Sequence, residues 1–129
     1  MSFAADKQHG PFVKYYPDGA KQTEANYEEG CKEGLEYHYF KTGKTAVENF
    51  YKKDQKEGLC KNWNEQGLLI FEGEYKAGLR NGLFKKYYED GSLALEQYFQ
   101  DDKLHGVKKK YTRDGQITTM HYENGERAD

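Results

Sequence analysis

Histidine is the side chain best suited to acid–base or metal chemistry near neutral pH, and this 129-residue chain has four. His9 and His105 occupy equivalent places in a 24-residue repeat, each directly before a glycine. The same place in the intervening units holds Glu33, Glu57 and Asn81. A catalytic residue does not normally recur as a polar turn position. We therefore expect a structural role for both histidines.

The two cysteines, Cys31 and Cys60, fall at different places in the repeat, and their spacing matches no metal-binding pattern. We expect two free thiols in a reducing cytoplasm. No Ser/His/Asp or Cys/His arrangement can be argued from the spacing. The glycines form no phosphate-binding loop, since none of them opens a helix. The sequence therefore predicts no catalytic residues, no metal site and no cofactor.

One glutamate recurs every 24 residues, at Glu24, Glu48, Glu72 and Glu96. Paired carboxylates could perform general acid–base catalysis. Equivalent residues, however, lie about 9–10 Å apart across two strands and share nearly the same surroundings. We interpret the column as a solvated face that pairs with lysines such as Lys61 or Lys85. The chain is therefore predicted not to be an enzyme.

Glycines mark the repeat in two registers. The first register contains Gly10, Gly34, Gly58, Gly82 and Gly106. The second contains Gly19, Gly43, Gly67, Gly91 and Gly115. Between them lies an aromatic column of Tyr15, Tyr39, Trp63, Tyr87 and Tyr111. We predict a single repeat domain over residues 1–129, with units that start at about residues 10, 34, 58, 82 and 106, and a partial unit over residues 3–9.

Each unit has the composition of two strands joined by a tight turn. Residues 10–16 of the first unit are a β-rich run. Pro17-Asp18-Gly19 then suits a three-residue hairpin loop that ends in a glycine bulge. A second β-like run and a polar seven-residue connection lead to the next unit, and no segment has a helical period. The predicted fold is all-β: a single-layer antiparallel β-meander solenoid of five 24-residue hairpin repeats, with about ten strands.

The alternation of side chains along a strand assigns two faces to this sheet. On the first strand of each unit, the Tyr/Trp column shares a face with Pro11, Leu35, Leu59, Leu83 and Val107. With Tyr15 opposite residue 21 across the loop, the same face gains Leu69, Leu93, Ile117, Val47, Phe71 and Leu95 from the second strands. This face is the more apolar, so we expect it to be buried and expect Trp63→Ala to cost about 3–5 kcal/mol. The opposite face is expected to project outward, and it carries Phe12, Lys14, Tyr16, His38, Phe40, Phe84, Lys86 and Tyr88.

The overall charge is nearly balanced, with 20 basic and 22 acidic residues. A nucleic-acid binder normally shows a clear basic excess, so no nucleic-acid partner is predicted. Residues 1–10 lack the apolar stretch of a signal peptide, and no run approaches transmembrane length. We expect a cytoplasmic protein for which membrane contact is not indicated.

The spacing of the two glycine registers, the Tyr/Trp column, the Glu column and Tyr27, Tyr51 and Tyr75 resembles the MORN-repeat superfamily over about residues 3–126. In particular it is similar to the longer repeat of bacterial YwqK-like antitoxin proteins, although Asn64 departs from the second aromatic position. The resemblance implies a MORN-like array of hairpins. Antitoxin-type members are expected to neutralise a toxin protein by binding it, and ordinary MORN proteins to act as scaffolds, as dimerisation elements or at membranes.

These features predict a protein-binding repeat module, with toxin neutralisation as the specific function that the resemblance implies. The alternative is a structural scaffold that self-associates or contacts a membrane. We predict that the partner binds the face with Phe12, Phe84 and the basic residues between the rings, because exposed aromatics beside basic residues are common in interfaces. The end strand, residues 116–122, is an alternative surface, where a partner strand or a second copy could pair along the edge.

Overall fold

The computed structural model describes residues 2–4 and 7–128, which form one open antiparallel sheet without a helix. Ten longer strands follow one another across it: β2 (Lys7–Tyr15), β3 (Lys21–Glu28), β5 (Gly34–Tyr39), β6 (Thr45–Lys52), β8 (Gly58–Trp63), β9 (Leu69–Lys76), β10 (Leu79–Tyr87), β11 (Leu93–Gln100), β13 (Gly106–Tyr111) and β14 (Ile117–Glu123). Five short strands pair beside them: β1 (Ser2–Ala4), β4 (Cys31–Lys32), β7 (Gln55–Lys56), β12 (Lys103–Leu104) and β15 (Glu126–Arg127). The predicted meander of hairpins is confirmed.

The predicted tight turn closes the first hairpin of each unit. In the first unit the Gly19 N–H donates to the Tyr16 carbonyl at 2.9 Å, and the Tyr16 N–H donates to the Ala20 carbonyl at 2.8 Å. Gly19 has φ 93°, a conformation that side chains with a Cβ rarely adopt. The second glycine register is therefore a conformational requirement of this turn.

The connection between units is a second hairpin, tighter than the predicted seven-residue loop. Its two central residues both have positive φ, as in Glu29 at 51° and Gly30 at 83°. Such a pair defines the type I′ turn, which matches the twist of paired strands. The Gly30 N–H also donates to the Gln8 carbonyl at 2.7 Å, and the Gly78 N–H donates to the Lys56 carbonyl at 2.9 Å. These bonds stack each turn on the turn of the preceding unit.

A β-bulge beside the first turn exchanges the faces of the second strand. Tyr15 pairs with Lys21 as predicted, but Lys14 pairs with Thr23, so Gln22 is an extra residue. A shift of one residue moves every later side chain to the opposite face. Phe71 consequently lies across from Asn62 rather than on the side of Trp63, and the same register places Val47 and Leu95 across from His38 and Lys86.

The predicted assignment of buried and exposed faces is therefore wrong. We call the denser side the packed face; its central rows are Phe12, Glu36, Cys60, Phe84 and Lys108 with their partners Ala25, Asn49, Gly73, Gln97 and Met120. The open face carries the Tyr/Trp column and the row Pro11, Leu35, Leu59, Leu83 and Val107. On it, Leu59 is 48% exposed and Val107 is 40% exposed. No second layer of the described chain covers these side chains.

Phe84 forms the centre of the packed face. Its ring lies 5.0 Å from the ring of Phe99, 5.2 Å from that of Tyr75 and 5.8 Å from that of Phe71, all in edge-to-face geometry. Gly73 makes room for it, because a Cβ on Gly73 would lie 2.4 Å from Phe84 Cε2. This cluster is an apolar core within a sheet that is one layer thick.

Candidate functional site

The aromatic residues predicted to contact a partner instead join the repeat units to one another. Phe84 is 4% exposed, so the prediction that it projects outward is wrong. The Tyr16 hydroxyl donates to the Tyr39 carbonyl at 2.6 Å, and the Tyr88 hydroxyl donates to the Tyr111 carbonyl at 2.7 Å. These hydroxyls therefore hydrogen-bond to the following unit rather than remaining free for a ligand.

The other predicted contact residues are scattered over the packed face. Phe12 packs its ring 6.1 Å from that of Tyr27, and Phe40 is half-buried. Lys14 and Lys86 are exposed as predicted, but five long strands separate the strands that carry them. The structure does not bring the eight predicted residues together as one continuous exposed patch.

Glu36 is the centre of a polar cluster that the sequence did not indicate. Its carboxylate is 3% exposed and accepts hydrogen bonds from Lys32 Nζ and from Asn49 Nδ2, the latter at 3.1 Å. His38 Nε2 lies 3.2 Å from Glu36 Oε1, and His38 Nδ1 lies 3.2 Å from the Thr23 hydroxyl. His38, predicted to be a contact residue, thus belongs to a network that joins the first and second units, with its side chain 41% exposed.

The pKa of Glu36 follows from these contacts. Burial alone would raise it, but the hydrogen bonds from Lys32 and Asn49 and the charges of Lys32 and His38 outweigh burial, so the pKa is lowered. Burial would likewise lower the pKa of Lys32, but the bond to Glu36 raises it. In contrast, burial raises the pKa of the neighbouring Cys60 thiol, which disfavours a reactive thiolate. The cluster therefore stabilises the charged forms of Glu36 and Lys32 and does not activate the Cys60 thiol as a nucleophile.

Cations cover the aromatic rings at the second turn of successive units. Lys32 Nζ lies 4.9 Å from the centre of the Tyr51 ring, Lys56 Nζ lies 5.1 Å from that of Tyr75, and Arg80 stacks 4.2 Å from that of Phe99. Cation–π contacts of this kind are stabilising. These three basic residues of the packed face are thus used in contacts within the sheet.

In the second, third and fourth units, the polar residue before the first-register glycine caps the next turn. Glu33 Oε1 accepts the Lys53 N–H at 2.8 Å, Glu57 Oε1 accepts the Ala77 N–H at 3.1 Å, and Asn81 Oδ1 accepts the Asp101 N–H at 3.1 Å. This supports the structural role predicted for the position that His9 and His105 share. Among residues 2–4 and 7–128, no three His, Cys, Asp or Glu side chains group to hold a metal ion.

The open face presents large apolar side chains to solvent in two rows. The outer row holds Leu35, Phe50, Leu59, Leu83, Tyr98 and Val107, each 37–48% exposed. The inner row is the Tyr/Trp column with the aliphatic residues opposite it, and it ends at Ile117, 57% exposed. A depression of about 270 Å³ lies between Leu83, Tyr98 and Val107. Contiguous exposed apolar surface of this kind commonly marks an interaction site.

A continuous row of alternating charges runs between the two apolar rows. We call it the charge ladder: Glu48, Lys61, Glu72, Lys85, Glu96 and Lys109. Each member is directly opposite the next on the neighbouring strand. The predicted pairing of the Glu column with Lys61 and Lys85 is confirmed as strand register.

Tyrosines of the inner row orient the glutamates of the preceding unit. The Tyr39 hydroxyl donates to Glu24 at 2.6 Å, and the Tyr111 hydroxyl donates to Glu96 at 3.0 Å. Burial and the bond to Glu24 raise the pKa of Tyr39 to about 12, so the hydroxyl stays protonated and donates. Trp63 is the member of the column without a hydroxyl. The open face is therefore polar and ordered along its centre and apolar at both sides.

The family model for the MORN repeat variant matches residues 8–29, 32–53 and 80–101, just over half of the chain. The chain belongs to the MORN repeat variant family. No curated protein matches it. Across residues 2–4 and 7–128 there is no helix both apolar and long enough to cross a membrane.

The structure extends the MORN repeat to the units that the family model does not match. β8 pairs with β9 in the same register, and with the same bulge, as the strands of the matched units. β13 pairs with β14 from Gly106↔Tyr122 to Tyr111↔Ile117 without a bulge, because this unit is one residue shorter. Five hairpin units therefore continue one sheet, and the charge ladder crosses the units that the family model matches and those that it does not.

Proposed function

We propose that this MORN protein is a protein-binding module whose contact surface is the open face. MORN repeats are found in protein-binding and membrane-associated modules. The observation that supports the proposal is the outer row: Leu59 at 48% and Tyr98 at 47% exposure are large apolar side chains left in water on an ordered sheet. Burying about 100 Å² of such surface would contribute roughly 2.5 kcal/mol.

The packed face is a weaker candidate for the same role. Phe84 is buried, and the hydroxyls of Tyr16 and Tyr88 are already bonded to the next unit. Lys32 and Arg80 bond to Glu36 and Asp102 and lie over aromatic rings. A partner on this face would have to displace internal contacts, whereas a partner on the open face would remove apolar surface from water.

A matched pair of substitutions tests this assignment. Leu83 and Leu79 lie on the same strand and are 37% and 44% exposed, but Leu79 is the first residue of that strand, paired with Lys76 beside the turn between units and outside the outer row. We expect partners captured from the native organism by the immobilised chain to be lost with Leu59→Ser/Leu83→Ser and kept with Leu79→Ser. Equal capture by both folded variants would contradict a role of the open face.

The specific form of the proposal is neutralisation of a toxin by direct binding, to which the resemblance to YwqK-like antitoxins points. A partner identified by capture should then arrest growth when expressed alone in a host cell. Co-expression of this chain should restore growth, and the Leu59→Ser/Leu83→Ser variant should not. A partner that leaves growth unaffected contradicts the antitoxin form while leaving protein binding intact.

A further inference from the structure

We propose that one protein partner of the open face is a second copy of this chain, docked face to face about a two-fold axis that runs parallel to the strands between β9 and β10. This inference rests on the proposed function, since it uses the same surface. The observation that carries it is the order of charges in the ladder, which is complementary to its own reverse.

The charge ladder alternates from Glu48 to Lys109 over six consecutive long strands. A two-fold axis parallel to the strands reverses the order of strands but keeps each row above the same row. Reversing Glu-Lys-Glu-Lys-Glu-Lys places a lysine over every glutamate. Glu72 then faces Lys85 of the second copy, Lys61 faces Glu96, and Glu48 faces Lys109.

The other in-plane axis is excluded by the same row. A two-fold axis perpendicular to the strands would keep the strand order and place each ladder residue over its own type. Like charges opposed in an interface cost several kcal/mol. It would also place the outer row over the Tyr/Trp column. Of these two axes, the charge ladder therefore favours only the one that runs parallel to the strands.

The apolar rows agree with the selected orientation. In the outer row, Leu59 comes over Tyr98 and Phe50 over Val107 of the second copy. Leu59 and Phe50 would then enter the depression of about 270 Å³ that Leu83, Tyr98 and Val107 line on the second copy. The mismatch in this row is Glu74, the cross-strand partner of Leu59, which comes over Leu83.

The inner row also matches itself when it is reversed. Within one chain, Trp63 pairs with Leu69 and Tyr87 pairs with Leu93. In the dimer, Trp63 comes over Leu93 of the second copy, and Leu69 comes over its Tyr87. Tyr39 comes over Ile117. Apolar side chains therefore meet on both sides of the charge ladder, as they do between two packed sheets about 10 Å apart.

The charges define the register of the pair more than its affinity. Two charges removed from water together lose much of their solvation, so an interfacial ion pair adds little beyond its apolar surroundings, whereas an unpaired charge is costly. The ladder would therefore exclude other orientations while the apolar rows supply the attraction. Because sheets twist by about 20–25° per strand, contact should be closest at the axis, at Glu72 and Lys85.

Charge reversal in the purified full chain tests the arrangement, with sedimentation velocity as the measurement. We expect the wild type to dimerise and Lys85→Glu, which opposes two carboxylates at two symmetric places, to raise the dimer Kd by about 30-fold or more. Lys61→Glu should act in the same direction and Lys109→Glu least, in the order of distance from the axis. Lys86→Glu is the matched control, since Lys86 is exposed on the packed face of the same strand, and it should leave the Kd unchanged.

The double reversal Glu72→Lys/Lys85→Glu should restore the dimer, because each new lysine faces a new glutamate. Failure of this rescue while both single variants stay folded by circular dichroism would overturn the proposed axis. If Lys85→Glu does not fold, Lys85→Gln removes the charge at similar length and should weaken the dimer in the same direction. A wild-type chain that stays monomeric at millimolar concentration, or equal effects of Lys85→Glu and Lys86→Glu, would also overturn the inference. The outcome is separable from the proposed function, since a monomeric chain that still loses captured partners with Leu59→Ser/Leu83→Ser keeps that function.

Discussion

Glu36 and Phe84 occupy the same position of the repeat, two units apart, and are nearly equally buried at 3% and 4% exposure. Phe84 is surrounded by the rings of Phe71, Tyr75 and Phe99 and lies over Gly73. Glu36 is instead held by one lysine, one asparagine and one histidine. The repeat therefore defines where a side chain is buried, while its neighbours define which chemistry can be buried there.

The burial of Phe84 and the burial of Glu36 each depend on the residues around them. The position that Gly73 holds beside Phe84 is held by the buried Ala25 in the unit before Glu36. An ionised carboxylate can stay buried because Lys32 and Asn49 supply hydrogen bonds that offset its lost hydration. The two units are consequently not interchangeable, although their backbones follow the same register.

The largest expected effect comes from removing the Phe84 ring from its aromatic cluster. Phe84→Ala should reduce the free energy of unfolding by about 3–5 kcal/mol, the range for a buried aromatic whose cavity cannot collapse. Urea denaturation of wild type and variant measures the loss. Gly73→Ala should cost about 1–3 kcal/mol by overpacking against the ring and distinctly less in the Phe84→Ala background. Additive losses would contradict the contact between these two residues.

A smaller loss of unfolding free energy is expected when the polar cluster around Glu36 is broken. Glu36→Ala leaves Lys32 without its carboxylate, but the Lys32 side chain is 29% exposed, so water replaces part of the interaction. We expect a loss of about 3 kcal/mol, the lower end of the range for breaking a buried ion pair. Glu48→Ala, on the open face of the next strand, is the control and should stay within about 0.5 kcal/mol. If the control costs as much as Glu36→Ala, burial of Glu36 does not explain the effect.

Trp63→Ala compares the two faces. Trp63 is half-buried on the open face, so its truncation should cost about 1–2 kcal/mol of unfolding free energy, below Phe84→Ala, because part of its surface stays in water after folding. Thermal unfolding of the two variants side by side measures the difference. Equal destabilisation would mean that the Tyr/Trp column is covered in solution, as it would be in a stable dimer, and the measurement should be repeated at a concentration below the dimer Kd.

The smallest expected effect is a difference in how pH changes the stability contributions of Glu36 and Phe84. The pKa of Glu36 is lowered below its ordinary value of 4.5, so ionised Glu36 stabilises the fold above the unfolded pKa, and this stability is lost as pH falls through the folded pKa. Glu36→Gln removes this contribution. The stability gap between wild type and Glu36→Gln should therefore narrow below about pH 4.5, measured by denaturation at several pH values. Phe84→Ala offers the contrast, since its gap to wild type should change little over the same interval.

Much of this architecture could be predicted because the repeat is visible in single residue types. Gly19 and its equivalents mark a turn that needs positive φ, and they appear every 24 residues. The position of Tyr15 opposite Lys21 follows from the turn, and so does the order of hairpins in the sheet. The second turn was predicted to be longer than it is, because Lys53-Asp54 does not look like a type I′ pair, yet both residues have positive φ.

The sequence by itself determined the fold class, the five units and the alternating Glu and Lys columns, because turn geometry is local and strand order follows from it. Only the tertiary structure decided which face is packed. The bulge at Gln22 shifts the register by one residue, and period-2 alternation turns that shift into an exchange of faces. Likewise, no periodicity could show that Lys32 and Asn49 meet at Glu36, since they come together only through the pairing of β3, β4, β5 and β6.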